Sequence, residues 1–371
     1  MMKLLVTVPW GDRAGGAENM LWTFLRHVDR SRIEPTVVFF EHGPFEREVA
    51  GLGMQTAVIP SGRLRELARA TRVIQAVRTV LRAEEPDLIL NWSAKTQLYG
   101  ASAAAAARVS DRVVWWQHAV PNGHWLDRLA TLLPARAIGC SSFESSQAQA
   151  HLRPRRERFV VHPGIDAPPS KVPKSVALRV ELGLPQDRLV VGIVGRLQPW
   201  KGQHRLLSAL AALRGAGHAV HGLIVGGEAL GLSPEYEPYL HHLTDELGIR
   251  DSVTFTGRVP DGAGYLAAMD IFVNASTREP FGIVLLEAMA AGLPTVAFDS
   301  GGPREIIETG RSGLLVEDRT EEGLATAIEQ LLIDPKLRDR LGEGARDRVQ
   351  QRFTAERMTR DLEAKFERLC S

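Results

Sequence analysis

Cysteine is nearly absent. The chain of 371 residues holds two, Cys140 and Cys370, too few and too far apart for a disulfide framework or a metal-ligand pattern. A reducing cytoplasm is the expected compartment. No apolar run approaches the roughly 18–20 residues that span a bilayer. The opening MMKLLVTVPWGD has a short apolar run, meets Asp12 at once and offers no small-residue cleavage site. It reads as a buried first strand and not as a leader. No Asp-x-Asp sequence occurs, and no His/Cys/Glu group has ligand spacing. Tandem repeats of roughly 20–50 residues are also missing. Net charge is small, at +1, but unevenly spread. Residues 1–165 carry 21 Lys and Arg against 15 Asp and Glu, and the rest carries 24 against 29. Two halves facing different partners would produce that split, and so would an arginine-rich composition alone. No nucleic-acid module is recognisable.

What is present is length beyond one ordinary core, which implies two domains. At 44% hydrophobic and 24% charged the composition is that of a globular protein. β-rich runs alternate with helical patterns in the first half: KLLVTVP, TVVFFE, TAVIP, DLILNW, RVVWWQ, RAIGCSS and RFVVHPG. Residues 162–174, HPGIDAPPSKVPK, read as a linker. Beyond them LVVGIVG, HGLIVGG, SVTFTG, DIFVNAS, PTVAFD and GLLVE restart the alternation, and FTAERMTRDLEAKFERL ends the chain as a charged amphipathic helix. The expected fold is α/β, two doubly wound Rossmann-like domains facing a central cleft. The boundaries are 1–168 and 169–353, with the helix from about 354 returning to the first domain. Such sheets bind ligands at the carboxyl ends of their strands.

Those strand ends carry the chemistry. After DIFVNAS comes TREPFGIVLLEAMAAG, with Glu279 in the loop, Pro280 at the expected helix entrance, and Glu287 inside an apolar helix. The amides of Phe281, Gly282 and Ile283 would face a phosphate at the positive helix end. A carboxylate on an apolar helix requires a hydrogen-bond partner. Ribose hydroxyls would serve, and so would an arginine of the core. After LVVGIVG, Arg196 and Lys201 place a fork and a point charge where a diphosphate would need them. Further glycine turns follow at Gly257, Arg258 and Val259, whose backbone could meet a base, and at Gly301 and Gly302, whose amides could approach a sugar.

GGAE (15–18), GRLQPWKG (195–202), EPFGIVLLE (279–287) and GGPREI (301–306) together resemble the retaining, nucleotide-sugar-dependent glycosyltransferases of family 4, which have the GT-B fold. The resemblance covers nearly the whole chain and is strongest from about 190 to 310. It implies that Arg196 and Lys201 bind the donor diphosphate, Glu287 the ribose and Glu279 the transferred sugar. Backbone amides at Phe281, Gly282 and Ile283 would hold the sugar hydroxyls and distal phosphate. It places Gly16, beside Gly15, at the diphosphate, and His118 near the sugar. No metal or other cofactor is implied. The implied reaction is front-face transfer of a hexose, from UDP-sugar more often than GDP-sugar, to an acceptor hydroxyl with retained configuration.

Six of the seven tryptophans lie in the first 125 residues. Trp10, Trp92 and Trp125 are candidates for an acceptor platform, with His124 a lesser candidate. Core packing is the competing role, and adjacent Trp115 and Trp116 must face opposite ways in a strand. The helix at 63–83 bears Arg63, Arg65, Arg69, Arg72, Arg78 and Arg82. A solvated face is favoured over peripheral contact with anionic lipid. The acceptor could be a small molecule, lipid-linked or a glycan. A nucleotide-sugar epimerase of the same architecture and an inert nucleotide-binding paralogue are the rivals. High Ala and Arg content suggests a GC-rich bacterial source.

Overall fold

In a computed structural model, residues 1–13, 15–62, 67–168, 170–228 and 231–371 are described. The first part of the chain runs β1 (Met2–Val8), α1 (Gly16–His27), β2 (Ile33–Phe39), α2 (Pro44–Gly51), β3 (Gln55–Val58) and α3 (Leu67–Glu84). It continues with β4 (Leu88–Asn91), α4 (Ala94–Ala107), β5 (Val113–Gln117), α5 (Trp125–Leu132), β6 (Ala137–Cys140), α6 (Phe143–His151) and β7 (Glu157–Val160). Then come α7 (Val176–Glu181), β8 (Leu189–Val194), α8 (Gln203–Gly215), β9 (Val220–Val225), α9 (Tyr236–Glu246), β10 (Val253–Phe255) and β11 (Ile271–Asn274). The rest is α10 (Ile283–Ala290), β12 (Thr295–Phe298), α11 (Gly302–Ile306), β13 (Leu314–Val316), α12 (Glu321–Ile333), α13 (Pro335–Arg352) and α14 (Ala355–Cys370).

The chain divides into two compact units, residues 1–164 with 355–371, and residues 165–354. Unit 1 holds a seven-stranded parallel sheet in the order β3-β2-β1-β4-β5-β6-β7. Central strands such as β4 and β5 are buried along their whole length, as parallel strands covered on both faces must be. Trp115 and Trp116 are both fully buried, one on each face. Helix α14 belongs to this unit. Phe366 packs edge-on to Phe24 of α1, and Glu363 accepts from the Asp29 amide. In α3, Val73, Val77 and Leu81 enter the core while Arg72 and Arg82 are exposed. Arg63 and Arg65 lie outside the described residues.

Unit 2 holds a six-stranded parallel sheet in the order β10-β9-β8-β11-β12-β13. The order reverses at β8, so β8 and β11 sit side by side and their carboxyl ends frame the switch point. Asp270, just before β11, fixes the opposite edge. It accepts from Arg179 at 2.6 Å and from the Val190 amide at 2.7 Å, and it also pairs with Lys174. No helix among the described residues is long and apolar enough to cross a membrane.

Candidate functional site

The β8 and β11 ends of unit 2 are locked together by glycines. Gly202 has φ 76°, and a Cβ there would lie 2.1 Å from the Ala275 carbonyl oxygen. The chain therefore turns against the end of β11 only with glycine at this position. The Thr277 amide donates to the Trp200 carbonyl at 2.9 Å. This contact sets Lys201 beside the loop that carries Glu279. Lys201 Nζ donates to Glu279 Oε2 at 2.6 Å and lies 4.3 Å from the centroid of the Trp200 ring. Ser276 Oγ donates to the same oxygen at 3.0 Å. Glu279 is buried, at 6% exposure, so its charge depends on these donors.

The opposite wall of that loop is backbone. Gly302 N–H donates to the Glu279 carbonyl at 2.9 Å, and added Cβ atoms at Gly301 and Gly302 would lie 2.0 Å from the carbonyl oxygens of Glu279 and Phe281. The expectation that these amides approach a sugar is corrected for Gly302 alone. Gly302's amide is already used, and both glycines are needed to let strand ends β11 and β12 meet. Pro280 is corrected too. Helix α10 starts at Ile283, with Gly282 as its N-cap at φ 107°, so Pro280 lies in the preceding loop. Leu285 and Leu286 donate back to the Gly282 carbonyl, which leaves Ile283 and Val284 as orphan donors of the helix start. The Phe281 side chain is in the core, edge-on to Phe353.

Glu287 projects from the second turn of α10. It is half-buried, and no hydrogen bond reaches its carboxylate among the described residues. Burial, with help from the negative charge of Asp261, raises its pKa to about 7. Among the described residues, no core arginine pairs with it. Arg196, half-buried after β8, likewise makes no side-chain ion pair among the described residues, although its carbonyl accepts from Gln203 at 3.0 Å. Beyond β10, Gly257 has φ 65° and bridges to Gly226, Arg258 is exposed, and Val259 is half-buried and packs against the same apolar core as Ile283 and Val284. Sequence reasoning passed over Ser276, Trp200 and Asp261. The first two stand directly beside singled-out residues, while Asp261 is brought to Glu287 only by folding.

In unit 1, His118 follows β5. Its ring lies 4.6 Å from Trp92, centroid to centroid, and Trp92 stacks on Trp116 at 5.3 Å. Burial depresses the His118 pKa to about 3, against the smaller opposing effect of a hydrogen bond to the Trp92 backbone. The ring is therefore neutral across the physiological range. Its Nε2 is sealed from solvent without a hydrogen-bond partner among the described residues. Trp92 itself is 1% exposed and donates from its indole to the Ala17 carbonyl at 2.9 Å. It braces the start of α1, whose N-cap is Gly15 and first residue Gly16. This corrects its expected place in an acceptor platform, because no ligand reaches a ring so buried. His124 is exposed. Its Nδ1 accepts from the Leu126 amide at 3.4 Å and caps α5. Trp10 and Trp125 remain open, at 45% and 57% exposure.

Comparison with known proteins agrees with this layout. The family model "Glycosyltransferase Family 4" matches residues 14–167, and "Glycosyl transferases group 1" matches residues 176–348. The chain is 30% identical to the lipopolysaccharide core biosynthesis glycosyltransferase LpsD of Rhizobium meliloti, over 93% of each chain. It is 28% identical to LpsE of the same organism, over 93% of this chain and 94% of that one. Among solved structures, Anabaena HepE in complex with UDP and glucose is 29% identical, with a TM-score of 0.84, covering 99% of this chain and 100% of that one. HepE has also been solved with UDP-glucose.

Proposed function

The chain belongs to the GT-B glycosyltransferases, and on that premise we propose that it moves a hexose from a UDP-sugar to an acceptor hydroxyl with retention of configuration. One observation carries this reading. In unit 2, a buried carboxylate is tied to a lysine, while a second carboxylate and an arginine have no side-chain partner among the described residues. Unpaired charges of both signs at half-buried positions are unfavourable in a free protein, and a nucleotide diphosphate sugar would complement each. Arg196 and Lys201 are assigned to the diphosphate, with the orphan amides of α10 beside them. Glu287 is assigned to the ribose hydroxyls. Backbone around Gly257, Arg258 and Val259 is assigned to the base. The UDP and UDP-glucose complexes of HepE support uridine as that base.

Glu279 is assigned to the transferred sugar. Lys201 and Ser276 hold its Oε2, which leaves Oε1 for a sugar hydroxyl. As the anomeric carbon–oxygen bond breaks, charge grows on the diphosphate, and preorganised cations and amides stabilise it without a metal ion. The acceptor oxygen attacks from the face that the diphosphate leaves, and its proton passes to the departing phosphate oxygen. The lipopolysaccharide names of LpsD and LpsE favour a glycoconjugate acceptor. The test is incubation with UDP-glucose and a panel of glycan acceptors, with the product's anomeric configuration read by NMR. An α-linked product supports the proposal. A β-linked product overturns retention, and epimerised donor formed without acceptor overturns transfer.

A further inference from the structure

Lys201 is held from two sides, and only one of them is a carboxylate. An ammonium carries three N–H donors on a flexible four-carbon stem. One donor reaches Glu279 Oε2 at 2.6 Å. The Trp200 ring covers a second direction. Its centroid lies 4.3 Å from Nζ, inside the roughly 6 Å over which an indole face attracts a cation. No other acceptor reaches Nζ among the described residues. One donor is left over, and the side chain keeps 20% exposure through which a ligand can meet it.

The ring is itself fixed. Trp200 Nε1 donates to Gln198 Oε1 at 2.9 Å, and Gln198 is buried. The Trp200 carbonyl accepts from the Thr277 amide at 2.9 Å. The side chain is thus tied to the segment after β8 and the backbone to the loop after β11. Residues 199–201 form one helical turn. Consecutive residues of such a turn do not face each other, so the contact between Trp200 and Lys201 is not a by-product of adjacency. A lysine left to swing would lose rotamer entropy on meeting a ligand, whereas one already pinned has lost it on folding.

We infer that Trp200 is a positioning residue for the donor diphosphate: its ring and Glu279 together pin the Lys201 ammonium, so that the remaining N–H is presented to a phosphate oxygen. Trp200 acts through Lys201 and not on the ligand. The inference rests on the assignment of Lys201 to the diphosphate. Its effect belongs to the phosphate end of the ligand, because the nucleoside end is assigned to Glu287 and to the backbone at Gly257, Arg258 and Val259.

Calorimetric titration of the wild type, W200L, W200F and K201M with UDP and with uridine tests this role. W200L should weaken UDP about fivefold and uridine by less than about twofold, as the loss of a half-buried cation–π contact would give. W200F keeps a ring face that attracts a cation less strongly, and it should weaken UDP by about two- to threefold. An unmoved UDP affinity in W200L, or in W200F where W200L fails to fold, overturns the inference. Uridine weakened as much as UDP would make Trp200 a scaffold residue and overturn it too, as would W200F matching W200L. K201M separates the two readings. UDP binding lost in K201M but untouched in W200L removes the role of Trp200 and keeps the donor site. A wild type that binds no UDP removes the donor site and the role with it.

Discussion

Replacing Glu287 with Gln should stabilise the free protein and weaken its donor site together. The carboxyl is half-buried without a hydrogen-bond partner among the described residues, and burial, helped by Asp261, moves its pKa from 4.5 to about 7. In the folded state the proton is held more tightly than in the unfolded chain, so stability is greatest at low pH. It falls as pH rises from about 4.5 through about 7, because the unfolded state then binds fewer protons than the native state. At ~1.4 kcal/mol per pH the full loss is about 3 kcal/mol by pH 8, of which about 1 kcal/mol has already occurred at pH 5. E287Q keeps the shape and removes the ionisation. The unit holding Glu287 should therefore melt higher in E287Q, by roughly 6–12 °C at pH 8 if the whole amount is realised and by only a few degrees at pH 5. Uridine affinity should move the other way. Glutamine keeps a carbonyl acceptor but not the charge, so each bond to a ribose hydroxyl should weaken by about 1 kcal/mol, the difference between a charged and a neutral hydrogen bond. Differential scanning fluorimetry at both pH values, with uridine binding by calorimetry, measures the pair. Using the nucleoside avoids the titration of the UDP phosphate. A lower melting temperature in E287Q, or a gain independent of pH, would refute the reasoning.

Substituting Lys201 with Met leaves buried Glu279 with Ser276 alone. The loss should be about 1–3 kcal/mol in chemical denaturation, below the 3–5 typical of fully buried pairs because the Lys201 side chain keeps 20% exposure. The UDP response should disappear with it. Gly302→Ala sets a Cβ 2.0 Å from the Phe281 carbonyl oxygen. Urea unfolding should show about 1–3 kcal/mol of destabilisation from overpacking, with weaker UDP binding as Glu279 is displaced. Trp92→Ala empties a core site and should cost about 3–5 kcal/mol. Trp10→Ala, at an exposed position, should change stability by about 0.5 kcal/mol or less in the same titration.

Both parallel sheets were legible because period and length are local properties. Buried strands such as LVVGIVG and RVVWWQ announce themselves, and helices between them force parallel pairing. Arg196 and Lys201 stand out because they follow the end of β8, and Glu287 because it is a carboxylate inside an apolar helix. The misreadings are contacts between distant segments. Nothing local in GGPREI reveals that its glycines lie against the carbonyls of Glu279 and Phe281. Trp92 looks identical in sequence whether it faces solvent or clamps Ala17. Pro280 misled through its common place in a first helical turn, which here yields to a left-handed Gly282.

The central claim is that the switch point of unit 2 holds a uridine nucleotide. A melting panel with UDP, GDP, ADP and dTDP on the wild type and Glu287→Ala tests it most directly. A ligand at about 100 times its dissociation constant stabilises the folded state by ~2.7 kcal/mol. UDP should raise the wild-type melting temperature by roughly 5–10 °C, the other nucleotides by less, and Glu287→Ala should lose the response. No shift with any nucleotide, or an undiminished UDP shift in Glu287→Ala, would contradict the account.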